Sequence, residues 1–93
     1  MYRLVIDDSF RKAYSKLTKT EQDITDKKLK LLVQDPWHRS LRVKKIHATP
    51  FFECSVNMDI RLAFKIIEDT IIIVLDIDHH DTLLRRMGRK GRN

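Results

Sequence analysis

The sequence predicts an α+β fold: an N-terminal strand, a helical hairpin and then a three-stranded antiparallel meander, with all strands in one curved sheet. Three observations predict it. Apolar residues recur with helical spacing before residue 35, they alternate with polar residues after residue 51, and 93 residues are enough for one hydrophobic core but not for two. We therefore expect a single domain over residues 1–93, with a basic, mobile tail from about residue 85.

The first strand and the first helix are predicted from the start of the chain. Residues 2–6 are mostly apolar and are expected to form the strand. Asp8 or Ser9 can cap the helix that follows. The apolar residues of this helix lie at i, i+3, i+4 and i+7, which is the spacing of an amphipathic helix. They are Phe10, Ala13, Tyr14 and Leu17.

A second helix is predicted directly after the first. Thr18 and Glu21 have the spacing of a capping box. The buried side of the helix is expected to contain Ile24, Leu31 and Leu32. Asp35-Pro36 ends the helix, because proline cannot continue it. Two helices joined so tightly are expected to pack as an antiparallel hairpin.

Three antiparallel strands are predicted in the second half of the chain. Apolar and polar residues alternate in three segments, which is typical of strands with one buried face. The apolar positions are Phe52, Cys54 and Val56; Ile60, Leu62, Phe64 and Ile66; and Ile71, Ile73, Leu75 and Ile77. Centring the last turn on Glu68-Asp69 places Phe64 opposite Ile73 and Arg61 opposite Asp76. The helices are expected to cover the apolar face and to leave the face of Arg61 partly open.

The charge of the chain favours a polyanionic partner. Lysine and arginine number 19 against 13 acidic residues, which gives a net charge of +6. The basic residues concentrate between residues 37 and 52 and again after residue 84. This pattern favours nucleic acid or an acidic protein as the partner, although a solvated charged face would give the same composition.

Membrane and secretory classes are not favoured by the sequence. No apolar run approaches the ~20 residues that span a bilayer, so we expect no membrane contact. The first apolar run stops at Asp7-Asp8, which is not the pattern of a signal peptide. Cys54 is the only cysteine, which excludes an internal disulfide and favours a cytoplasmic location.

The segment DIDHHD at residues 76–81 is the most informative part of the sequence. It follows an apolar run at residues 71–75 that predicts a buried strand, so two imidazoles and three carboxylates are delivered to one edge of the sheet. Imidazole has an unperturbed pKa of ~6.5 and therefore suits proton transfer at neutral pH. Ionisable groups at the end of a rigid strand, followed by a basic tail, indicate chemistry on a polyanion such as RNA.

Three short motifs, in the predicted order of elements, carry a family resemblance over nearly the whole chain. They are Gln34-Asp35-Pro36 with SLRVKKI at residues 40–46, FECSVNMDIR at residues 52–61, and His79-His80-Asp81. The chain resembles the RelE/ParE superfamily of bacterial toxins from toxin–antitoxin systems, and within it the RelE/YafQ-like branch that cleaves mRNA. The resemblance implies the RelE/ParE-like fold, in agreement with the fold predicted from periodicity.

The resemblance also implies an activity and partners. It implies a metal-independent endoribonuclease without a cofactor, which cleaves mRNA on the ribosome when the ribose 2′-OH attacks the adjacent phosphate. It implies inhibition by a cognate antitoxin, which would contact operator DNA through its own domain. The sequence departs from the family at two points. Asp78 replaces the glycine that often precedes the strand-end pair, and residues 83–86 offer no aromatic ring to stack on a base.

Candidate site residues follow from the resemblance and from the basic segments. The catalytic candidates are His80, His79 and Arg61. The RNA-binding candidates are Lys44, Lys45, Arg42, Arg85 and Arg86. Each has a structural alternative, since the histidines could pair with neighbouring aspartates, Arg61 could pair with Asp76 across the strands, and the basic residues could be solvated surface.

Two other functions stay open at the level of sequence. The chain could be a ParE-like toxin that inhibits DNA gyrase by binding it, without catalysis. It could also be a decayed toxin that binds antitoxin and nucleic acid but no longer cuts RNA. The strand-end histidines favour the nuclease, because protein binding alone has no special need for imidazole groups.

Overall fold

A computed structural model describes residues 2–91 of the chain. The elements follow in the order β1 (Arg3–Ile6), α1 (Asp8–Ser15), α2 (Lys19–Gln34), a 3₁₀ turn (Arg39–Leu41), β2 (Lys44–Lys45), β3 (Phe52–Ser55), β4 (Ile60–Ile67), β5 (Ile71–His79) and α3 (His80–Gly91). The strands form one sheet in the order β1-β5-β4-β3-β2, with β1 parallel to β5 and the other neighbours antiparallel. The predicted α+β fold is confirmed, and β2 is an additional short strand.

Side-chain caps start both N-terminal helices. Asp7 caps α1, in place of the predicted Asp8 or Ser9, and its Oδ2 accepts a hydrogen bond from the Ser9 amide at 3.1 Å. Hydrogen bonds from the Ser9 hydroxyl and amide lower the pKa of Asp7. Thr18 and Glu21 form the predicted capping box at the start of α2, with hydrogen bonds of 3.1 and 2.8 Å.

The main hydrophobic core lies between the helical hairpin and one face of the sheet, as predicted. In β5 the prediction is wrong at two positions, because Ile73 and Leu75 pack on the opposite face and Ile72 and Val74 enter this core. Its most buried members are Leu32, Leu41, Cys54, Ile60, Leu62, Phe64, Ile72, Val74 and Ile77. At roughly 1.5–3 kcal/mol for each fully buried large apolar side chain, this cluster is the principal source of stability. It also fixes the strands whose ends carry the candidate site residues.

Residues 80–91 form a helix, so the segment from about residue 85 is basic as predicted, but the prediction that it is a mobile tail is wrong through Gly91. α3 covers the second face of the sheet, although this face was expected to be partly open. We call the face that α3 covers the α3 face. Leu83 and Met87, four residues apart, are 0% and 1% exposed in a second apolar cluster with Ala63 and Leu75. Their burial outweighs the ~1 kcal/mol that each glycine costs a helix. Arg92 and Asn93 lie outside the described residues.

The register of β4 and β5 also differs from the prediction. Phe64 lies opposite Val74 rather than Ile73, and Arg61 lies opposite Asp78 rather than Asp76. The connecting loop is one residue longer than assumed, because the pair that closes it is Ile67 with Ile71. A bulge between Ala63 and Phe64 shifts the register by one further residue towards the strand end. As a result, neighbouring residues Leu75 and Asp76 both reach the α3 face.

The single cysteine is a core residue. Cys54 is 0% exposed, and burial raises its pKa from 9.0 to about 12. We expect no reaction with a thiol-specific reagent in the native state and full reaction after unfolding, because only the thiolate is nucleophilic. Between pH 9.0 and about 12 the unfolded thiol is ionised while the folded thiol is protonated, so this group lowers the free energy of unfolding as pH rises. Rapid native labelling of Cys54 would contradict this placement.

Candidate active site

A buried glutamate, Glu53, lies at the centre of the candidate site. It belongs to β3, it is 2% exposed, and its cross-strand neighbours are Lys44 in β2 and Ala63 in β4. Ala63 belongs to the apolar cluster beneath α3, so the Glu53 side chain lies on the α3 face. Burying a carboxylate is costly unless charged or hydrogen-bonding groups surround it. The groups that approach Glu53 therefore define the site.

His80 and Arg61 both approach the same carboxylate oxygen. His80 Nδ1 lies 3.4 Å, and Arg61 Nε 3.9 Å, from Glu53 Oε1. His80 is the first residue of α3, and its amide donates to the Asp59 carbonyl oxygen at 3.0 Å where the chain turns from β5 into the helix. The His80 side chain is 37% exposed. The structure thus brings together two of the predicted catalytic residues, with the imidazole between a buried carboxylate and solvent.

Arg61 also fastens the turn that joins β3 to β4. Its Nη1 donates to three backbone carbonyl oxygens of that turn, at 2.7, 3.2 and 3.1 Å from those of Asn57, Met58 and Ile60. The expected cross-strand pair with Asp76 is wrong, because the register places Arg61 opposite Asp78. Nη1 of Arg61 therefore hydrogen-bonds to the turn, while Nε lies near the Glu53 carboxylate.

The two lysines of β2 have different positions. Lys44 lies directly opposite Glu53 and shares its face, whereas Lys45 lies opposite Phe52 on the other face. Both lysines are exposed. Arg42 is exposed as well and adopts a left-handed conformation, with φ of 50°, at the end of the 3₁₀ turn. Of the basic-segment candidates, Lys44 is the one that the sheet places beside Glu53.

His79 does not join this cluster. It is the last residue of β5 and is exposed, and its amide donates to the Asp78 carboxylate at 2.7 Å. β1 pairs only with residues 71–74, so the remainder of β5 has a free edge. His79 lines a groove of about 440 Å³ along this edge between α1 and α3, with Lys12, Lys16 and Lys90 among the other lining residues. The two adjacent histidines therefore lie on different surfaces, His79 in this groove and His80 beside Glu53.

Arg86 is an ion-pairing residue that anchors α3 to the sheet, and its predicted contact with RNA stays a prediction. Its Nε and Nη2 donate to the two carboxylate oxygens of Asp76 at 2.6 and 2.9 Å, and Nη2 also donates to Asp78 at 3.0 Å. The hydrogen bond to Asp76 raises the pKa of Arg86. The adjacent Arg85 is exposed on α3 and keeps the position expected of a surface contact.

Removing Arg86 is expected to destabilise the protein. Asp76 is 7% exposed, so Arg86→Ala leaves a buried carboxylate without its partner. We expect a loss of about 2 kcal/mol in the free energy of unfolding, at the low end for a broken ion pair because the Arg86 side chain is 46% exposed. Arg85→Ala, the matched control, is expected to change it by less than ~0.5 kcal/mol. If urea titrations show equal losses of stability for Arg86→Ala and Arg85→Ala, Arg86 does not anchor α3.

Glu53 is the site residue that the sequence reasoning missed. The signal was present, because Glu53 and Arg61 belong to neighbouring strands of the predicted meander, and residues 53 and 55 alternate with the apolar positions. An acid at an alternating position is ordinarily a solvated residue on an exposed face. It becomes notable only once α3 covers that face and buries the carboxylate.

Within residues 2–91, no group of three or more His, Cys, Asp or Glu side chains is arranged to hold a metal ion. Among the helices of the same residues, none has the length and apolar character needed to cross a membrane.

The fold has relatives among solved structures, although no protein-family model and no curated protein matches the sequence. A double mutant of the E. coli toxin RelE in the free state matches with a TM-score of 0.73 at 18% identity, over 96% of this chain and 95% of that chain. The chain has the RelE fold.

Two further structures with the RelE fold extend this finding. YafQ from E. coli strain BL21(DE3) matches with a TM-score of 0.73 at 12% identity, over 89% of this chain and 98% of that chain. A chain of the archaeal RelE–RelB complex from Pyrococcus horikoshii OT3 matches with a TM-score of 0.71 at 20% identity, over 84% and 93%. The fold implied by the resemblance is therefore confirmed.

Proposed function

We propose that this protein is a toxin of a toxin–antitoxin system that acts as a metal-independent endoribonuclease on mRNA in the cytoplasm. One observation carries the proposal: the RelE fold presents a partly exposed imidazole, His80, beside Arg61 and on the same face as Lys44. An imidazole can transfer protons at neutral pH, and the cations can offset phosphate charge. Proton transfer and charge stabilisation are the two contributions that suit cleavage of an RNA backbone.

The proposed reaction uses the RNA itself as the nucleophile. The ribose 2′-oxygen forms a bond to the adjacent phosphorus while the bond from phosphorus to the 5′-oxygen breaks. The products are a 2′,3′-cyclic phosphate and a 5′-hydroxyl. One proton leaves the 2′-hydroxyl and one is delivered to the 5′-oxygen, and His80 carries out one of these transfers. Arg61 and Lys44 stabilise the charge that develops on the phosphate oxygens.

We further propose that a protein antitoxin inhibits this toxin and that the ribosome presents its mRNA substrate. The support is structural likeness: matching chains come from the RelE–RelB complex of P. horikoshii, the intact E. coli RelBE toxin–antitoxin complex, and RelBE2 of Mycobacterium tuberculosis. The net charge of +6 suits both an acidic protein and RNA as partners. In this proposal, operator DNA is contacted through the antitoxin alone.

A translation reaction tests the proposed function against the gyrase-inhibitor alternative. A defined mRNA is translated with and without the protein, and new 3′ ends are mapped by primer extension. The ribonuclease proposal expects discrete cuts within the coding sequence that require added protein. Intact mRNA, together with inhibition of gyrase in a supercoiling assay, would instead establish the ParE-like function. Intact mRNA with no effect on gyrase would favour the decayed toxin.

A further inference from the structure

Two buried polar atoms lie close together on the α3 face. Glu53 Oε1 and His80 Nδ1 are both shielded from solvent, and within residues 2–91 neither makes a hydrogen bond to any group. Their separation is 3.4 Å, which is within reach of a hydrogen bond but not aligned as one. An unsatisfied buried polar atom is destabilising, so a small rotation of the imidazole that aligns the pair is favourable.

The surroundings of Glu53 make this acid unexpected as a packing residue. Its strand neighbour Ala63 is 0% exposed and lies in the apolar cluster with Leu83 and Met87 beneath α3. At such a position an apolar side chain is the ordinary solution, because it avoids the cost of burying a carboxylate. Polar residues at positions where packing favours an apolar side chain are found mainly at functional sites. The position of His80 Nδ1, 3.4 Å from Glu53 Oε1, explains why an acidic residue is present here.

We propose that Glu53 is a positioning residue for His80: its carboxylate accepts a hydrogen bond from Nδ1–H and thereby fixes the tautomer and the orientation of the imidazole. The bond leaves Nε2 without a proton in the neutral ring, since the two nitrogens share one hydrogen. Nδ1 is buried and the side chain is 37% exposed, so the exposed part of the ring is the edge away from Glu53. Nε2 is then the atom that meets RNA.

The effect of Glu53 on RNA cleavage rests on the proposed function, whereas the pairing of Glu53 with His80 does not. A carboxylate that orients a histidine is expected to act entirely through that histidine. Arg61 Nε, at 3.9 Å from the same oxygen, places a positive charge beside the Glu53 carboxylate. Lys44, directly across the strand pair, adds a second positive charge on the same face.

The tautomer of His80 can be measured without any activity. Long-range ¹H–¹⁵N correlation spectra of the full chain, recorded where all four histidines are neutral, distinguish Nδ1–H from Nε2–H rings. His80→Ala assigns the signal. We expect Nδ1–H for His80 in the wild type and a shift to mainly Nε2–H in Glu53→Leu, which removes the acceptor at similar size. Asp81→Asn, which removes one charge beside His80 but not the acceptor, is expected to leave the tautomer unchanged.

Each result of this experiment has a definite meaning. An Nε2–H ring in the wild-type protein overturns the inference, even if Glu53→Leu does not fold. An Nδ1–H ring that persists unchanged in folded Glu53→Leu also overturns it. If the tautomer shifts as expected while the wild type cuts no mRNA, the positioning of His80 stands and the proposed ribonuclease function fails.

Where cleavage is found, a double-mutant cycle links the positioning to catalysis. Glu53→Leu is expected to lower kcat by at least ~10-fold, but by no more than His80→Ala, because the carboxylate acts through the imidazole. The double variant is expected to be no slower than His80→Ala alone. Glu53→Gln, which keeps an acceptor oxygen, is expected to restore part of the rate. Additive losses in the double variant would show that Glu53 acts independently of His80.

Discussion

His80→Ala is expected to lower the rate of mRNA cleavage by at least ~10²-fold, within the 10²–10⁴-fold range of a general acid or base. The expectation follows from the position of the ring, which is 37% exposed beside Arg61 and Glu53. The free energy of unfolding is expected to change little, because a partly exposed side chain is removed. Rates of fragment formation from a defined mRNA, at matched concentrations of folded protein, measure the effect.

His79→Ala is the matched control for this variant. It removes the same side chain one residue away, but His79 lines the groove along the free edge of β5 rather than the α3 face. We expect a loss of less than ~10-fold, well below the contribution of a proton-transfer group. Equal losses in the two variants would mean that the histidines act together, which the separation seen in the structure does not accommodate. Full activity of His80→Ala would remove the assigned catalytic group.

Leu83→Ala is expected to have the largest effect on stability among substitutions in α3. Leu83 is 0% exposed in the cluster that joins this helix to the sheet. Replacing a buried leucine by alanine typically costs about 2–5 kcal/mol through lost burial and the cavity left behind. That is a large share of the ~5–15 kcal/mol that stabilises a small domain. Urea titration followed by circular dichroism measures the change.

The contrast with Leu84→Ala tests whether α3 is docked as a folded element. Leu84 is only partly buried at the margin of the same cluster, so its truncation is expected to cost less than half as much. Because His80 begins α3, detachment of the helix in Leu83→Ala is also expected to reduce cleavage. If residues 80–91 were a basic tail without structure, both variants would be as stable as the wild type.

Local rules predicted the first part of the fold well. The Thr18–Glu21 capping box, the break at Asp35-Pro36 and the apolar spacing of α1 are determined by neighbours in sequence, and the structure shows each of them. The alternation in β3 and β4 predicted for the same reason which of their residues face the helical hairpin, but in β5 it failed, because Ile72 and Val74 lie in that core while Ile73 and Leu75 lie on the α3 face. Structure that depends on neighbours in sequence, such as a helix cap or a proline break, can be predicted without knowledge of the rest of the chain.

The missed features depend on contacts between distant segments. Nothing local indicates the bulge beside Ala63, which alters the register and moves Asp76 away from Arg61. A glycine such as Gly88 disfavours a helix locally, whereas packing of Leu83 on the sheet decides in favour of the helix. Glu53 is notable only because α3 buries it. Arg86 likewise needed the helix in place before its pairing with Asp76 could be predicted.

The chemistry of the fragment ends is the most direct test of the central claim that this RelE-fold protein is a metal-independent ribonuclease. Purified wild-type protein is added to ribosomes translating a defined mRNA, and a matched reaction is supplemented after initiation with a chelator in slight excess of any transition metal. The fragments are analysed for their termini. The account predicts 2′,3′-cyclic phosphate and 5′-hydroxyl ends, formed equally with the chelator and at least ~10²-fold more slowly with His80→Ala. Fragments with 3′-hydroxyl and 5′-phosphate ends, or none at all, would contradict it.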